Sequence, residues 1–359
     1  MKILVGLSGG VDSSTVAYLL KNAGHEVIGA TMSIWDKNTP FLNSQTPKSG
    51  CFNSHEEDIE QVKKFCKNLN IKHYMVDCSK QYQKIVLSNF KKEYLEGRTP
   101  NPCVLCNSTI KFDALPIAAK ESGIEFDKFA TGHYVRLSNN ENRWQIQTAV
   151  DIKKDQSYFL YRLTQEQLSK VMFPLGEYTK DEIRNIAKQA GLEVHDKKDS
   201  QDFYSGDIND ILQAEPQKGN FVNTSGKVLG THNGIWNFTI GQRKGLGIAA
   251  EHPLYVLGFN KEKNEVIVGF DEEAGQGSLQ ADNLNWLSIP PIPEPLEAFV
   301  KIRSAMTPTK AKIIPAEKNE IKIEFFEKQK AIAPGQSAVF YDNTGLLLGG
   351  GIIKESCIL

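Results

Sequence analysis

Leu4-Val5-Gly6-Leu7-Ser8-Gly9-Gly10-Val11-Asp12-Ser13-Ser14 stands at the start of the chain and decides its fold class. The apolar run Ile3 to Leu7 predicts a buried strand. Ser8, Gly9 and Gly10 predict a tight turn, and Asp12 to Leu20 a helix with Val16, Leu19 and Leu20 on its inner face. A strand that turns through glycines into a helix points backbone N–H groups at one spot, where anions bind. Two adjacent glycines let the backbone approach a pyrophosphate without Cβ interference. Ser8, Ser13 and Ser14 add hydroxyls, and Asp12 is a carboxylate that could hold a magnesium ion on the phosphates. A lone Gly-Gly pair would merely permit a turn; the ordered string is more specific. It lacks the lysine of Gly-x-x-x-x-Gly-Lys-Ser/Thr, which disfavours γ-phosphate chemistry of the kinase or GTPase kind.

The 359 residues, 40% of them hydrophobic, suffice for two or three domains. Apolar stretches fall far short of a membrane span, Ser8-Gly9-Gly10 interrupts the N-terminal run too early for a signal peptide, and Cys357 stands one residue too late for prenylation. A cytoplasmic protein with no membrane partner is expected. Lys and Arg number 42 against 43 Asp and Glu, a net charge of −1 that argues against a general polyanion binder. Local basic candidates are Lys153-Lys154, Lys197-Lys198, Arg243-Lys244 and the late set Lys301, Arg303, Lys310 and Lys312, each equally readable as solvated surface. Six cysteines are too few for a disulfide framework, so paired ones read as reactive or metal-binding.

Strand-like and helix-like segments alternate through the first half: strand Val27 to Ile34, helix Glu56 to Leu69, strand Lys72 to Val76, helix Tyr82 to Glu96, and a strand closing at Phe129-Ala130-Thr131. Such alternation specifies a parallel sheet wrapped by helices, with ligands beyond the carboxyl ends of the strands. The loops after Leu7, Thr31 and Thr131 should therefore meet at one crevice. Helical signals continue over Thr164 to Met172 and Thr179 to Ala190, the second opened by a capping-box pattern. After about Asp210, turn residues punctuate short strands such as Trp236 to Ile240, Leu254 to Leu257 and Glu265 to Val268. A proline-dense stretch, Ser288 to Pro295, precedes Ala298 to Ile302, Ala311 to Ile314, Ile321 to Phe326 and Ser337 to Tyr341, which suggest a small antiparallel barrel.

Arg98-Thr99-Pro100-Asn101-Pro102-Cys103-Val104-Leu105-Cys106-Asn107 is a proline-stiffened loop with a Cys-x-x-Cys pair. The spacing suits a dithiol that closes to a disulfide or two metal ligands, and a structural zinc site would need partners drawn from scattered Cys51, Cys66, Cys78 and Cys357.

Ser-Gly-Gly-Val-Asp-Ser resembles the loop of the ATP-pyrophosphatase (PP-loop, N-type) superfamily, whose members cleave ATP between the α and β phosphates. The string, the Asn101 to Asn107 loop followed by Ile110-Lys111-Phe112, Ala130 to Tyr134, Lys154 to Leu160, Phe173 to Gly176, Lys198 to Asp202, Ile240 to Gly247 and Pro334 to Val339 recur in that order in the tRNA 2-thiouridylase family. The resemblance covers nearly the whole chain. It implies an α/β protein with three parts: a nucleotide alpha hydrolase-like catalytic domain with a parallel sheet over 1–207, a central β-rich tRNA-binding domain over 208–280, and a C-terminal β barrel over 281–359. The implied activity is transfer of sulfur to the wobble uridine of a tRNA, with ATP activating the uracil O2 and AMP and pyrophosphate released.

Carried over position by position, Gly6, Leu7, Ser8, Gly9, Gly10, Val11, Asp12, Ser13, Met32 and Gly132 match the ATP contacts. Asn101, Pro102 and Cys103 match the target-base region, and His133, Lys154, Asp155, Gln156, Arg303, Ser304 and Gln336 the tRNA contacts. Cys106 matches the nucleophilic cysteine. Taken singly, His133 also reads as a satisfied interior histidine, Gln336 as a loop amide and Lys154 as a solvated charge. Three positions depart from the family: Tyr204 stands where the second, persulfide-carrying cysteine is usual, Cys103 where many relatives have aspartate, and Ser304 where an aromatic residue is usual. Cys103 and Cys106 are thus expected to do the work of two separated cysteines. They would relay a persulfide and finish as a disulfide, or ligate an iron–sulfur cluster with Cys51 as a third ligand. Partners implied are a tRNA with a wobble uridine and a sulfur donor. The competing readings are another ATP-pyrophosphatase ligase or thiolase with a different acceptor, and a degenerate relative that binds tRNA without modifying it.

Overall fold

The structure is a computed structural model and describes residues 1–34, 56–192, 203–204 and 207–356. Cys51, Lys197 to Asp202 and Cys357 lie outside the described residues. The chain divides into two compact units. One comprises Met1–Leu87, Pro102–Gly206 and Gly345–Leu347, the other Ser88–Asn101, Asp207–Thr344 and Leu348–Leu359.

In the first unit, β1 (Lys2–Gly6), β2 (Glu26–Ser33), β3 (Lys72–Asp77), β4 (Lys128–Ala130) and β7 (Val171–Met172) form one sheet in the order β3-β2-β1-β4-β7. Every pairing in it is parallel. The reason lies in the sequence of β1. Ile3, Leu4 and Val5 are completely buried, so the strand has no polar face to offer water and needs helices on both sides. The helix Val11–Asn22 returns antiparallel to β1 and sets Val16, Ala17 and Leu20 against Ile3, Val5 and Leu7, with Val62, Cys66 and Ile183 in the same cluster. Burying each such aliphatic side chain stabilises the fold by about 1.5–3 kcal/mol. Because the chain runs from β1 to β2 on one side and places β4 on the other, the carboxyl end of β1 is where strand order reverses, the place at which sheets of this kind bind ligands.

Three expectations change in this unit. Thr164 to Met172 is not one helix: it ends at Ser169, and Val171–Met172 pairs with Phe129 and Ala130 as β7. A β-branched residue beside an open sheet edge outweighs local helical propensity. A hairpin that the sequence reading missed, β5 (Val135–Asn140) with β6 (Arg143–Thr148), follows β4. Tyr82 to Glu96 is a composite in which a π-helical segment, Gln83–Leu87, joins the helices Ser79–Tyr82 and Ser88–Leu95. A second π-helical run, Asn107–Ala114, directly follows the helix Pro102–Cys106 and continues into Leu115–Glu121. Ser108 Oγ and Thr109 Oγ1 donate to carbonyls of Val104 and Leu105, so side chains compete with the ordinary backbone ladder just after the cysteine pair.

In the second unit, β8 (Gly219–Asn223), β9 (Val228–His232), β10 (Tyr255–Asn260) and β11 (Glu265–Gly269) form a four-stranded sheet in the order β10-β11-β8-β9. Trp236 lies in a short 3-10 turn, Ile235–Asn237, rather than a strand, its indole N–H donating to Asn209 Oδ1 at 3.1 Å. A closed six-stranded barrel follows: β12 (Gln276–Trp286), β13 (Leu296–Lys301), β14 (Thr309–Pro315), β15 (Ile321–Gln329), β16 (Ser337–Tyr341) and β17 (Leu347–Ser356). Position 281 lies inside β12. Alternation fills the barrel: Ala298 and Val300, Ala311 and Ile313, and Ile321 and Ile323 are buried at every second position.

The helix Lys180–Gln189 opens with the capping box that the sequence signals. Thr179 Oγ1 accepts from the Glu182 N–H at 3.3 Å, and the Glu182 carboxylate accepts from the Thr179 N–H at 2.7 Å. That bond holds the Glu182 carboxyl below its ordinary value. Thr179→Ala is expected to lower unfolding free energy by about 1 kcal/mol, read from the urea midpoint. An unchanged midpoint would show that the cap contributes nothing.

Candidate functional site

The glycine turn after β1 is pinned from behind. The Leu7 N–H donates to Ala30 O at 2.8 Å, and Thr31 Oγ1 donates to Leu7 O at 2.9 Å. With its proton so used, Thr31 accepts from His73 Nε2 at 2.8 Å. Burial, and then the Lys63 charge, lower the His73 pKa, which suits a neutral ring donating through Nε2. Gly9 has φ of +75°, a conformation that a side chain would strain. Ser13 Oγ accepts from the Ser8 N–H at 3.2 Å and lies 3.3 Å from Gly10 O, closing the turn into a ring. Gly10 precedes the helix Val11–Asn22 and supplies no side-chain cap, so the first-turn N–H groups are not covered by a capping oxygen. Gly132, after β4, packs against the same helix start. A Cβ there would lie 3.0 Å from Asp12 Cβ and 3.1 Å from Ser13 N. Met32, half-buried, sits near the carboxyl end of the neighbouring β2. The structure thus brings Gly6 to Ser13 and Gly132 together at the carboxyl end of β1.

Asp12 differs from its reading as a magnesium ligand. Both oxygens lie 2.8 Å from Lys180 Nζ, and the Tyr134 hydroxyl donates to Oδ1 at 2.7 Å. The carboxylate that would face a metal already carries a cation belonging to the chain. No group of three or more metal-ligating side chains occurs among the described residues. Magnesium takes near-octahedral oxygen ligands, so Asp12 as it stands does not fit a resident ion. Sequence reasoning missed Lys180: nothing local links it to Asp12, 168 positions away. Its place as first residue of a capped helix was the available signal.

The segment 149–157 is tied to the same cluster. Asp151 Oδ2 accepts from the Lys180 backbone N–H at 3.0 Å, and Gln156 Oε1 accepts from the Tyr134 N–H at 3.0 Å. Asp155 accepts from Ala149 N at 3.1 Å and from Ser157 Oγ at 2.7 Å. Asp155 and Gln156 therefore shape the loop that presents half-buried Lys154. His133 is 8% exposed, between Phe112 and Phe173, with Nδ1 2.8 Å from Thr131 Oγ1. Burial, reinforced by the Lys111 charge, pushes its pKa well below 6.5, so the ring is neutral and faces an interior cluster.

Cys103 and Cys106 lie one turn apart in the helix Pro102–Cys106, and neither is in a disulfide. Cys103 is half-buried, whereas Cys106 is 8% exposed. The adjacent Asn107 donates to Phe159 O at 3.3 Å. Cys66 and Cys78 are likewise in no disulfide, but burial pushes each thiol up to about 11, as expected of inert interior cysteines. An iron–sulfur cluster takes up to four cysteine ligands, and the described part of this loop supplies two, so these residues alone do not fit one.

In the second unit, Asn101 Nδ2 lies 3.4 Å from Gln336 Oε1, and Gln336 Nε2 donates to Pro100 O at 3.2 Å. Arg98 donates to the Ile353 and Lys354 carbonyls, anchoring the loop on β17. Two residues matched to tRNA contacts are thus direct neighbours. Arg303 donates to Ile240 O at 2.8 Å, bracing the glycine-rich Gly241 to Gly247 turn, and Ser304 beside it is half-buried. No helix among the described residues is long and apolar enough to cross a membrane.

A parallel sheet whose central strand runs through a glycine turn into a helix start defines an α/β nucleotide-binding class. In agreement, the tRNA methyl transferase HUP domain model matches residues 1–204. The tRNA methyl transferase PRC-barrel domain matches 208–270, and the aminomethyltransferase β-barrel domain 276–353. The chain is 51% identical to the tRNA-specific 2-thiouridylase MnmA of Endomicrobium trichonymphae, over 98% of this chain and 99% of that one. It is 44% identical to the protein of that name from Clostridium botulinum strain Alaska E43, over 98% of each, and 43% identical to that of Clostridium perfringens strain 13, over 99% and 98%. The chain belongs to the MnmA family of tRNA-specific 2-thiouridylases.

The buried neutral His133 carries a pH signature. The unfolded chain protonates this residue below about pH 6.5 while the native ring refuses the proton, so stability is complete above that value and declines as pH falls towards the depressed native pKa. His73 and His232, also lowered by burial, add to the same slope. Each contributes at most about 1.4 kcal/mol per pH unit. Urea unfolding between about pH 7.5 and 5 should show a shallower decline in His133→Gln; an equal slope would count against a neutral interior ring.

Proposed function

We propose that this chain performs ATP-dependent 2-thiolation of the wobble uridine of tRNA. The observation that carries the reading is the uncapped glycine turn of Gly6 to Ser13 in the same compact unit as the Cys103 and Cys106 pair. It is supported by a relative matched over its whole length that bears the 2-thiouridylase name. The backbone N–H groups of the turn bind the ATP phosphates, with Met32 and Gly132 completing the nucleotide contacts. Asn101, Pro102 and Cys103 meet the target-base region, and Lys154, Arg303, Ser304 and Gln336 serve the RNA. Asp155, Gln156 and His133 hold the shape of the surfaces beside them. The uridine leaves its stack to react, as bases do in enzymes that modify them. A cytoplasmic site of action goes with this substrate.

Uracil O2 is a poor leaving group until it carries AMP. Attack of O2 on the α-phosphate forms the O–P bond and releases pyrophosphate. Half-buried Cys103, the more accessible thiol, receives a sulfane sulfur from a persulfide donor. The terminal persulfide sulfur attacks C2, and the C2–O bond breaks with AMP leaving. The Cys106 thiolate then attacks the Cys103 sulfur, forming a Cys103–Cys106 disulfide and leaving the transferred sulfur on C2 as the thiocarbonyl. An external thiol supplies the two electrons that reopen the disulfide. Helical neighbours three apart have Cβ atoms about 5–6 Å apart and a disulfide needs about 3.8 Å, so the first turn must tighten on closure.

Nucleoside analysis after incubation of purified enzyme with tRNA, ATP, magnesium and a persulfide donor tests the reading, and 2-thiouridine and AMP are expected in equal amounts. Cys106→Ser and Cys103→Asp should each reduce thiolation to background, with partial recovery when Cys103→Asp is combined with Tyr204→Cys. Full thiolation by Cys103→Asp alone would transfer the role to hydrosulfide acting directly on the adenylylated base. Lys154→Ala is expected to weaken tRNA binding and to reduce the slope of log affinity against log salt by about 1. An unchanged slope would mean that Lys154 makes no phosphate contact.

A further inference from the structure

Lys180 is a charged residue almost wholly removed from solvent, its side chain 7% exposed, and its ammonium is aimed at the second residue of the nucleotide helix. It lies 2.8 Å from both oxygens of Asp12 and 5.8 Å over the Tyr134 ring, whose hydroxyl donates to Asp12 Oδ1. The main chain around it is equally determined. Thr179 and Glu182 cap its helix, and Asp151 accepts its backbone N–H. A long flexible side chain loses considerable rotamer entropy when buried, and a buried ammonium must be paired to be tolerated. An ion pair this enclosed is weak evidence for stability alone, since apolar replacements of such pairs are often no less stable. Its location beside an uncapped helix start that accepts phosphate gives the pair a different use. A divalent ion and an ammonium cannot both sit against the same two carboxylate oxygens without like-charge contact.

We propose that Lys180, and not a resident metal, is the cation on Asp12 in the nucleotide-free chain, and that its ammonium is a binding group for the ATP polyphosphate, positioned by Asp12 and Tyr134. The inference rests on the ATP reading given above. It makes Lys180 a nucleotide-binding residue, assigns Asp12 and Tyr134 the role of positioning it, and means that the free protein refuses divalent ions at this carboxylate.

Manganese serves as the metal probe and the ATP analogue with methylene between its α and β phosphates as the nucleotide probe, both with the full chain. Without nucleotide, electron paramagnetic resonance should show no stoichiometric manganese uptake by the wild type up to about 1 mM, the weak end of the range of dedicated oxygen-ligand sites. Lys180→Gln should gain one site, and the added change Asp12→Asn should abolish it. Equilibrium dialysis should show analogue affinity falling at least about tenfold in Lys180→Gln and within about threefold of wild type in Lys180→Arg, the scale of one charge-assisted hydrogen bond. Stoichiometric manganese uptake by the nucleotide-free wild type overturns the proposal even if Lys180→Gln fails to fold, and so does unchanged analogue affinity in a folded Lys180→Gln. A wild type that binds no analogue overturns the ATP reading itself, an outcome that the nucleotide-free manganese titration separates from the first.

Discussion

The ion pair between Asp12 and Lys180 is the constraint on which the rest of the nucleotide-binding unit depends. It joins the start of the helix after β1 to the start of the helix Lys180–Gln189, and Tyr134 brings in the segment that follows β4. Asp151 and Gln156 extend the connection to the 149–157 loop through backbone N–H groups of Lys180 and Tyr134. Removing one partner of a fully buried pair typically costs about 3–5 kcal/mol, and less than that here, because Asp12 is 27% exposed and solvent screens its charge. The turn and the candidate RNA loop are therefore parts of one hydrogen-bonded assembly.

A second constraint governs the thiols. Cys103 and Cys106 sit on a short helix that passes directly into π-helical backbone, where Ser108 and Thr109 hydroxyls take carbonyls of the preceding turn. Such runs are rare and recur at functional sites. The gradient from half-buried Cys103 to buried Cys106 orders the two sulfurs by accessibility, which equal thiols on an exposed loop would not do.

RNA recognition in a chain with net charge −1 must come from local shape and a few placed groups rather than from a general positive field. Asn101 and Gln336 bond to one another, Gln336 also donates to the Pro100 carbonyl, and Arg303 is braced on the Ile240 carbonyl. These are preorganised polar groups on tight loops, of the sort that fix register on a substrate.

Much of this protein was legible in residue order. The continuous apolar run of β1, the Ser-Gly-Gly turn and the strand and helix alternation determine a parallel sheet, because a strand buried on both faces permits little else. The capping box at Thr179 and Glu182 and the alternating barrel strands are local patterns that need no distant partner. Motif order carried the family. What the tertiary structure alone decided are contacts between residues far apart in the chain. Lys180 pairs with Asp12, Tyr134 and Gln156 form one chain of bonds, and His133 turns into an aromatic interior. Val171–Met172 becomes a strand because an edge of β4 awaits it. Propensity and spacing act over a few residues, whereas a buried charge finds its partner only after the chain has closed around both.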